Sequence, residues 1–186
     1  PPLPAFDPWV TLAAMAVATR RVRLGTMLTA VPRRRPWKLA REVMTLDHLS
    51  GGRAILAAGI GAAPDDAGFY KVGEAMDVKT RAERLDEGLR LLDALWRGEA
   101  VTFHGRHYQV DGLTLLPRPV QRPRVPLWVV GVWPRPRSLA RALRYDGLIP
   151  QKQSVAGQPP GPLTPEDVRA MRATITARRP GGEPFD

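Results

Sequence analysis

The glycines near the middle of the chain are the residues whose spacing could support ligand chemistry. Gly59 lies near the end of the apolar run of residues 54–60, and Gly61 directly follows that run. The pair Gly51–Gly52 precedes it. A dinucleotide-binding fingerprint needs a strand and then Gly-x-Gly-x-x-Gly opening a helix. Pro64 stands at the third position of that pattern, and no phosphate loop of the Gly-x-x-x-x-Gly-Lys-Ser/Thr type occurs. The spacing therefore predicts a strand end where the backbone closely approaches another group.

Side chains that commonly carry acid–base or metal chemistry form no usable constellation. The chain has no cysteine and three histidines. His48 falls just before a predicted helix end, His104 and His107 fall in a predicted hairpin, and no histidine pair has a carboxylate at metal-ligand spacing. We predict no metal site and identify no general acid or base. Redox chemistry would have to come from a bound cofactor.

Composition narrows the class of protein. The 186 residues, 44% of them hydrophobic, can bury a core and fit one domain or part of a larger one. No apolar run approaches the roughly 18 residues of a membrane span, and no charged segment followed by an apolar one opens the sequence. We expect a cytoplasmic protein with no membrane partner.

A net charge of +10 raises the question of nucleic acid. The excess is almost all arginine, distributed over nearly every segment, with the densest cluster at Arg33–Arg35. Aromatic residues are not interleaved with the arginines as a stacking platform requires. We therefore expect a generally basic surface and no nucleic-acid partner. A basic nucleic-acid-binding protein is the alternative.

Helix-then-strand units recur along the chain and would position these residues. Asp7-Pro8 is typical of a helix N-cap followed by proline at the first helical position. The predicted units are helix 9–18 with strand 22–29, helix 36–49 with strand 54–60, and strand 126–131 with helix 138–144 and strand 146–150. Continuous apolar strands alternating with helices predict a parallel sheet covered on both faces. An open doubly wound sheet and a (β/α) barrel both satisfy this pattern.

A different region separates the second and third units. Residues 78–96 predict an amphipathic helix with leucines and Trp96 on one face. Its charged residues, expected mostly on the opposite face, are Arg81, Glu83, Arg84, Asp86 and Glu87. We expect Asp47, Asp86 and Glu87 to lie on solvated or salt-bridged helix faces. Residues 97–125 predict a hairpin and a proline-rich connection, and residues 151–163 a loop.

Five blocks of the sequence, in order, resemble the bacterial luciferase-like flavin-dependent oxidoreductases. The blocks are DPWVTLAAMAVATRRVRLGTMLT, RRRPWKLAREVMTLDHLSGGRAILAAGIG, RAERLDEGLRLLDALWRGEAVTFHGRHYQV, LPRPVQRPRVPLWVVG and RALRYDGLIP. The resemblance implies an α/β fold, a partial TIM (β/α)₈ barrel in one domain over residues 1–186. The first two strands and the last strand of the family pattern have no counterpart in this sequence. A complete barrel takes roughly 250 residues, more than the 186 of this chain.

The resemblance also implies a cofactor, either FMN or coenzyme F420, which is a deazaflavin. The chemistry would be oxygen insertion or hydride transfer to a small organic substrate. Arg33–Arg35 lie beyond a predicted strand end and could meet an acidic coenzyme tail, which favours the deazaflavin slightly. The sequence leaves open whether the protein forms a homo-oligomer. The alternative within this family is a truncated barrel remnant without activity.

Strand ends indicate where such a cofactor would bind, because the carboxyl ends of barrel strands carry function. This rule selects Met27, Leu28 and Thr29, where the family has a backbone bulge against the isoalloxazine ring. Gly61, Ala62 and Ala63 end the next strand, and their small side chains would let the ring or ribityl chain approach. Catalytic residues stay unassigned.

A third strand end would bind the cofactor phosphate. Gly131, Val132 and Trp133 follow the strand residues PLWVV, 126–130, and precede the helix that holds Ser138. A helix N-terminus presents unpaired N–H groups to an anion. Arg135 and Arg137 could add charge-assisted hydrogen bonds, although solvated loop positions are equally typical of such arginines.

Overall fold

A computed structural model describes residues 5–62, 68–153, 161–179 and 185–186 of the protein. The chain divides into two compact units, Pro1–Val125 and Pro126–Asp186. Ala63 and most of the predicted loop 151–163 lie outside the described residues. None of the described helices is both long enough and apolar enough to span a bilayer.

The first unit alternates helices and strands before ending in a hairpin and a proline-rich connection. Its elements are α1 (Pro8–Ala18), β1 (Thr29–Ala30), α2 (Pro36–Ser50), β2 (Leu56–Gly59), α3 (Val78–Leu95), β3 (Val101–His104) and β4 (Gln109–Leu113), with 3₁₀ turns at Val31–Arg33 and Phe69–Val72. Asp7 caps α1 by accepting from the backbone N–H groups of Trp9 and Val10. Gly51 ends α2 in the left-handed conformation, with φ of 65°.

Two parallel segments form the sheet of this unit. Thr29 pairs with Ala58 and Ala30 with Gly59, and an isolated bridge joins Leu24 to Ala54. The predicted strand 22–29 is therefore wrong in extent, since the pairing within it involves only Leu24 and Thr29. Gly25 lies so close to the second segment that a Cβ there would be 2.5 Å from the Ile55 carbonyl oxygen.

Helix packing buries most of the predicted apolar stripes. Leu39, Val43 and Leu46 of α2 are buried, whereas Leu49, at the same helical spacing, is 45% exposed. Leu49 lies in the last turn of α2, beyond the packed part of the stripe. On α3 the predicted apolar face is buried, and Trp96 at its end donates from Nε1 to the Ala40 carbonyl at 3.1 Å.

Three charged residues predicted on polar helix faces are buried instead. Asp47 is fully buried and accepts from the Gln121 backbone N–H at 3.0 Å and from its side-chain amide at 2.7 Å. Arg81 and Glu87 are buried on α3. The solvated-face prediction is wrong for Asp47 and Glu87, and Arg81 does not have the exposed position typical of the polar face on which it was expected. Each one bonds a segment distant along the chain, and helical periodicity carries no information about such a partner.

The hairpin is fastened to α3 through Glu87. The strands β3 and β4 pair antiparallel, with Phe103 opposite Val110 and His104 opposite Gln109. The turn between them gives three backbone N–H groups to the Glu87 carboxylate, from Arg106 at 2.8 Å, His107 at 2.9 Å and Tyr108 at 3.1 Å. The predicted hairpin is thus present, and its turn is held by a carboxylate.

The second unit repeats the strand–helix–strand order. Its elements are β5 (Leu127–Trp133), α4 (Pro136–Ala142), β6 (Gly147–Lys152) and α5 (Pro165–Arg178). The two strands are parallel, in register from Trp128 opposite Gly147 to Trp133 opposite Lys152. Thr164 and Asp167 form a reciprocal capping box at the start of α5.

Candidate functional site

The segment that leads into β1 contains the exposed residue Met27 of the predicted site. Met27 is 80% exposed, and Leu28 is partly exposed. The peptide bond between Met27 and Leu28 is cis. On either side of this bond lie Thr26 and Thr29, whose buried hydroxyl groups hydrogen-bond to each other. The chain thus presents an apolar segment whose ends are joined by two hydroxyl groups.

An apolar cleft lies beside this segment. Its volume is about 470 Å³, within the range of about 300–1,000 Å³ typical of small-molecule sites. It is bounded by the start of α1 and by residues 25–28, and its lining is Phe6, Pro8, Thr11, Leu12, Met15, Gly25, Thr26, Met27 and Leu28. The cleft can accept a flat apolar group. Of the two threonines in its lining, Thr11 donates from its hydroxyl to the Asp7 carbonyl and Thr26 is hydrogen-bonded to Thr29.

The end of β2 lies next to the end of β1, because the two strands are parallel neighbours. Gly61 has φ of 83°, and a Cβ there would lie 3.1 Å from the Ala30 Cβ and 3.3 Å from Arg33 Cζ. One side of Gly61 therefore already packs against protein. The Ala62 carbonyl accepts from Arg81 Nη1 at 2.7 Å. Ala63, predicted with these two residues, lies outside the described part of the chain.

Gly131, Val132 and Trp133 occupy a different position from the one predicted. They lie within β5, whereas the sequence analysis placed them after the strand. The strand is longer because β6 pairs with it as far as Trp133. A Cβ on Gly131 would meet the Leu148 side chain, so this glycine serves strand packing.

The predicted phosphate-binding helix also differs from the prediction. Helix α4 covers Pro136–Ala142 rather than residues 138–144. The Ser138 hydroxyl accepts from the Val132 backbone N–H at 3.0 Å and donates to the Val130 carbonyl at 3.4 Å. Arg135 and Arg137 are exposed. The assignment of a phosphate to this helix stays a prediction.

The electrostatics of the first unit centre on Glu87. Burial acts to raise its pKa, but three backbone N–H groups from the hairpin turn outweigh burial and hold the pKa below its ordinary value. The carboxylate is therefore a structural anion. Within the described residues no cluster of three metal-ligating side chains occurs.

Sequence reasoning missed the residues of α1 that line the cleft. It also missed Arg53, which ties the chain after α1 to the end of α2. Arg53 donates to the carbonyls of Ser50, Ala16, Thr19 and Val22 and to the Thr19 hydroxyl. One signal could have indicated the cleft, since residues 9–18 are apolar nearly all round. A helix packed on one face only has no need of a second apolar face.

Parallel α/β proteins commonly bind small molecules at strand ends, and here an apolar cleft lies beside the segment that leads into β1. A sequence profile of the luciferase-like monooxygenase family matches residues 1–159. The match covers most of the chain, and the protein belongs to this family.

Relatives of two kinds are similar to the chain. An F420-dependent glucose-6-phosphate dehydrogenase from Nakamurella multipartita is 34% identical over 91% of this chain and 47% of its own length. The oxygenase component of a flavin-dependent trigonelline monooxygenase from Acinetobacter baylyi is 32% identical over 73% of this chain and 37% of its own. The family thus includes proteins named for either cofactor.

A solved structure supports the same relationship. The crystal structure of the monooxygenase RslO1 from Streptomyces bottropensis matches 92% of this chain with a TM-score of 0.73 and 32% identity. The match covers 48% of the RslO1 chain. The 186 residues therefore span less than half the length of each of these relatives.

Proposed function

We propose that the protein is a flavin- or deazaflavin-dependent oxidoreductase that binds its cofactor in the cleft beside Met27 and Leu28. The observation that carries this proposal is the coincidence of that cleft with the segment selected by the family resemblance. Strand carboxyl ends are the functional edge of parallel α/β folds. Relatives dependent on F420 and on flavin support both cofactor classes.

The residues present fit such a cofactor. Leu12, Met15 and Met27 offer apolar surface of the kind that a ring face contacts, and the cleft volume is about 470 Å³. When bound, the cofactor supplies hydride-transfer or oxygen chemistry itself. The protein's part is to hold the ring, exclude water from one of its faces and leave the other face open to a small organic substrate.

Other predicted contacts have separate roles in this proposal. Gly61 and Ala62 lie at the neighbouring strand end and would contact the ribityl chain or the ring edge. Gly131, Val132 and Trp133 of the second unit remain proposed cofactor contacts, to be tested by substitution. No proton donor or acceptor is assigned, because none of the described residues that line the cleft is titratable.

Titration of the purified protein with FMN and, separately, with coenzyme F420 tests the proposal. Both compounds fluoresce, and binding against the apolar cleft should change their emission. We expect saturable binding of one cofactor and markedly weaker binding of the other, which assigns the cofactor class. Failure of both to bind would contradict the proposal.

Two substitutions on α1 locate the site. Thr11 lines the cleft, whereas the adjacent Val10 faces a separate groove between α1 and α2. Both residues are exposed, so a larger side chain at either position should leave the fold intact. Thr11→Trp fills the cleft and should weaken cofactor binding at least about tenfold. Val10→Trp is the matched control and should bind as the wild type does.

A further inference from the structure

Arg81 occupies a position that its helix does not explain. It lies in the first turns of α3 with only 1% of its surface exposed, although charged residues are rarely buried without a full set of partners. Its Nη1 donates to the Ala62 carbonyl at 2.7 Å. Its Nε has no hydrogen-bond partner among the described residues.

The bond to Ala62 is the feature that makes this burial informative. Ala62 follows β2 and is exposed, so water could satisfy its carbonyl at no structural cost. A buried guanidinium aimed at that carbonyl is therefore not needed to satisfy it. What the bond supplies is a fixed position for the Gly61–Ala62 segment, because Arg81 is itself fixed within a packed helix.

Gly61 and Ala62 have few other means of being fixed. Gly61 adopts φ of 83°, which glycine reaches without steric cost and also leaves as readily. Its immediate neighbours are Ala30 at the end of β1 and the side chain of Arg33. The segment leaves the sheet directly after β2 and has no further strand pairing.

We propose that Arg81 is a positioning residue that holds the Gly61–Ala62 segment in its cofactor-binding arrangement through the Ala62 carbonyl. This inference rests on the proposed function only for its effect on cofactor binding. The local effect on the segment is independent of any cofactor. Arg81 acts through the backbone and touches neither cofactor nor substrate.

Three variants test the inference. Arg81→Met removes the guanidinium but keeps an apolar stem of similar length, and replacing a buried charge by an apolar side chain is often neutral for stability. Arg81→Lys keeps a cationic donor. Arg90→Met is the matched control, since Arg90 is exposed on the same helix, where it donates to the Asp86 carbonyl and lies over the Phe103 ring.

The first measurement is hydrogen exchange, read by mass spectrometry on peptides that contain Gly61 and Ala62. In Arg81→Met these peptides should exchange at least about tenfold faster, the effect of losing one charge-assisted hydrogen bond. Peptides from the hairpin β3–β4 should be unchanged, and Arg81→Lys should recover part of the protection. Wild-type exchange in Arg81→Met would overturn the inference.

The second measurement is the dissociation constant of FMN or coenzyme F420, whichever the wild type binds. Arg81→Met should bind about tenfold more weakly at an unchanged melting temperature, with partial recovery in Arg81→Lys and none of this in Arg90→Met. Faster exchange with unchanged affinity would overturn the link to cofactor binding. If the wild type binds neither cofactor, the proposed function fails while the exchange measurement still decides the role of Arg81.

Discussion

The two ends of the segment between α1 and β1, residues 19–28, are built in opposite ways. At its start, Arg53 donates to the Ala16, Thr19 and Val22 carbonyls and so ties the chain between α1 and Leu24 to the end of α2. At its far end, Met27 is largely exposed and borders a cleft. One end is fixed by a charged side chain, whereas the other presents apolar surface to solvent.

This contrast separates stability from binding along one short stretch. In barrels of this class the amino ends of strands carry stability and the carboxyl ends carry function. The residues at the start of the segment form their hydrogen bonds within the protein itself. Residues at the far end leave a surface that burial against a ligand would stabilise. Substitutions at the two ends should therefore have effects of different kinds.

Removing Arg53 should give the largest effect. Arg53→Met leaves several partly buried carbonyls without their donor, and we expect a loss of about 2–4 kcal/mol in the free energy of unfolding. Urea unfolding followed by circular dichroism measures it. Cofactor affinity, measured where the variant is folded, should stay within about twofold of wild type. A stable variant with weakened binding would reverse the assignment of the two ends.

Substitution of Glu87 should give the next largest effect. It tests whether a charged side chain also holds the hairpin in place. Glu87→Gln presents an amide to three N–H donors and should cost about 1–3 kcal/mol at neutral pH. Because the folded pKa lies below the ordinary value of 4.5, the carboxylate stabilises the fold above that value. This contribution is lost as the pH falls through the folded pKa.

The difference between wild type and Glu87→Gln should consequently narrow as the pH is lowered from about 7 to about 3. Urea midpoints of both proteins across that range provide the measurement. Asp86→Asn is the control, because Asp86 is on the same helix and only partly buried. A difference that is constant with pH would show that the carboxylate charge does not hold the hairpin turn.

The sequence predicted the helices and the parallel strand pair of each unit. These follow from periodicity, from glycine and proline signals and from the ordered blocks of the family. The anchoring roles of Asp47 and Glu87 could not be predicted, since their partners are backbone N–H groups 74 and about 20 residues away. Helical spacing places a side chain on a face but does not show which distant segment covers that face.

The predicted boundaries of the strand at residues 22–29 were wrong for a related reason. Residues 22–29 have the composition of a strand, yet pairing stops after Leu24 and resumes at Thr29. The interruption contains Met27 and Leu28, which line the cleft. Departure from regular structure is common where a protein binds a ligand, because the site needs a shape that regular pairing does not provide.

Met27 should show the opposite behaviour to Arg53. Met27→Glu places a charge on an exposed side chain, so the free energy of unfolding should change by less than about 0.5 kcal/mol. A carboxylate at the cleft should weaken cofactor binding about tenfold, through the cost of desolvating the charge against an apolar ring. Val22→Glu, at the exposed start of the segment, is the matched control. Equal affinity in both variants would remove Met27 from the site.

The smallest effect concerns the hydroxyl pair formed by Thr26 and Thr29. Thr29→Val leaves the buried Thr26 hydroxyl without its partner and should cost about 1 kcal/mol in the free energy of unfolding. The double variant Thr26→Val/Thr29→Val removes both polar groups and should fall within about 0.5 kcal/mol of wild type. A double-mutant cycle in urea measures the coupling. Additive losses would mean that each hydroxyl has its own role. Recovery in the double variant would show that neutral, replaceable contacts hold this end of the segment, whereas Arg53 at the other end has no apolar substitute.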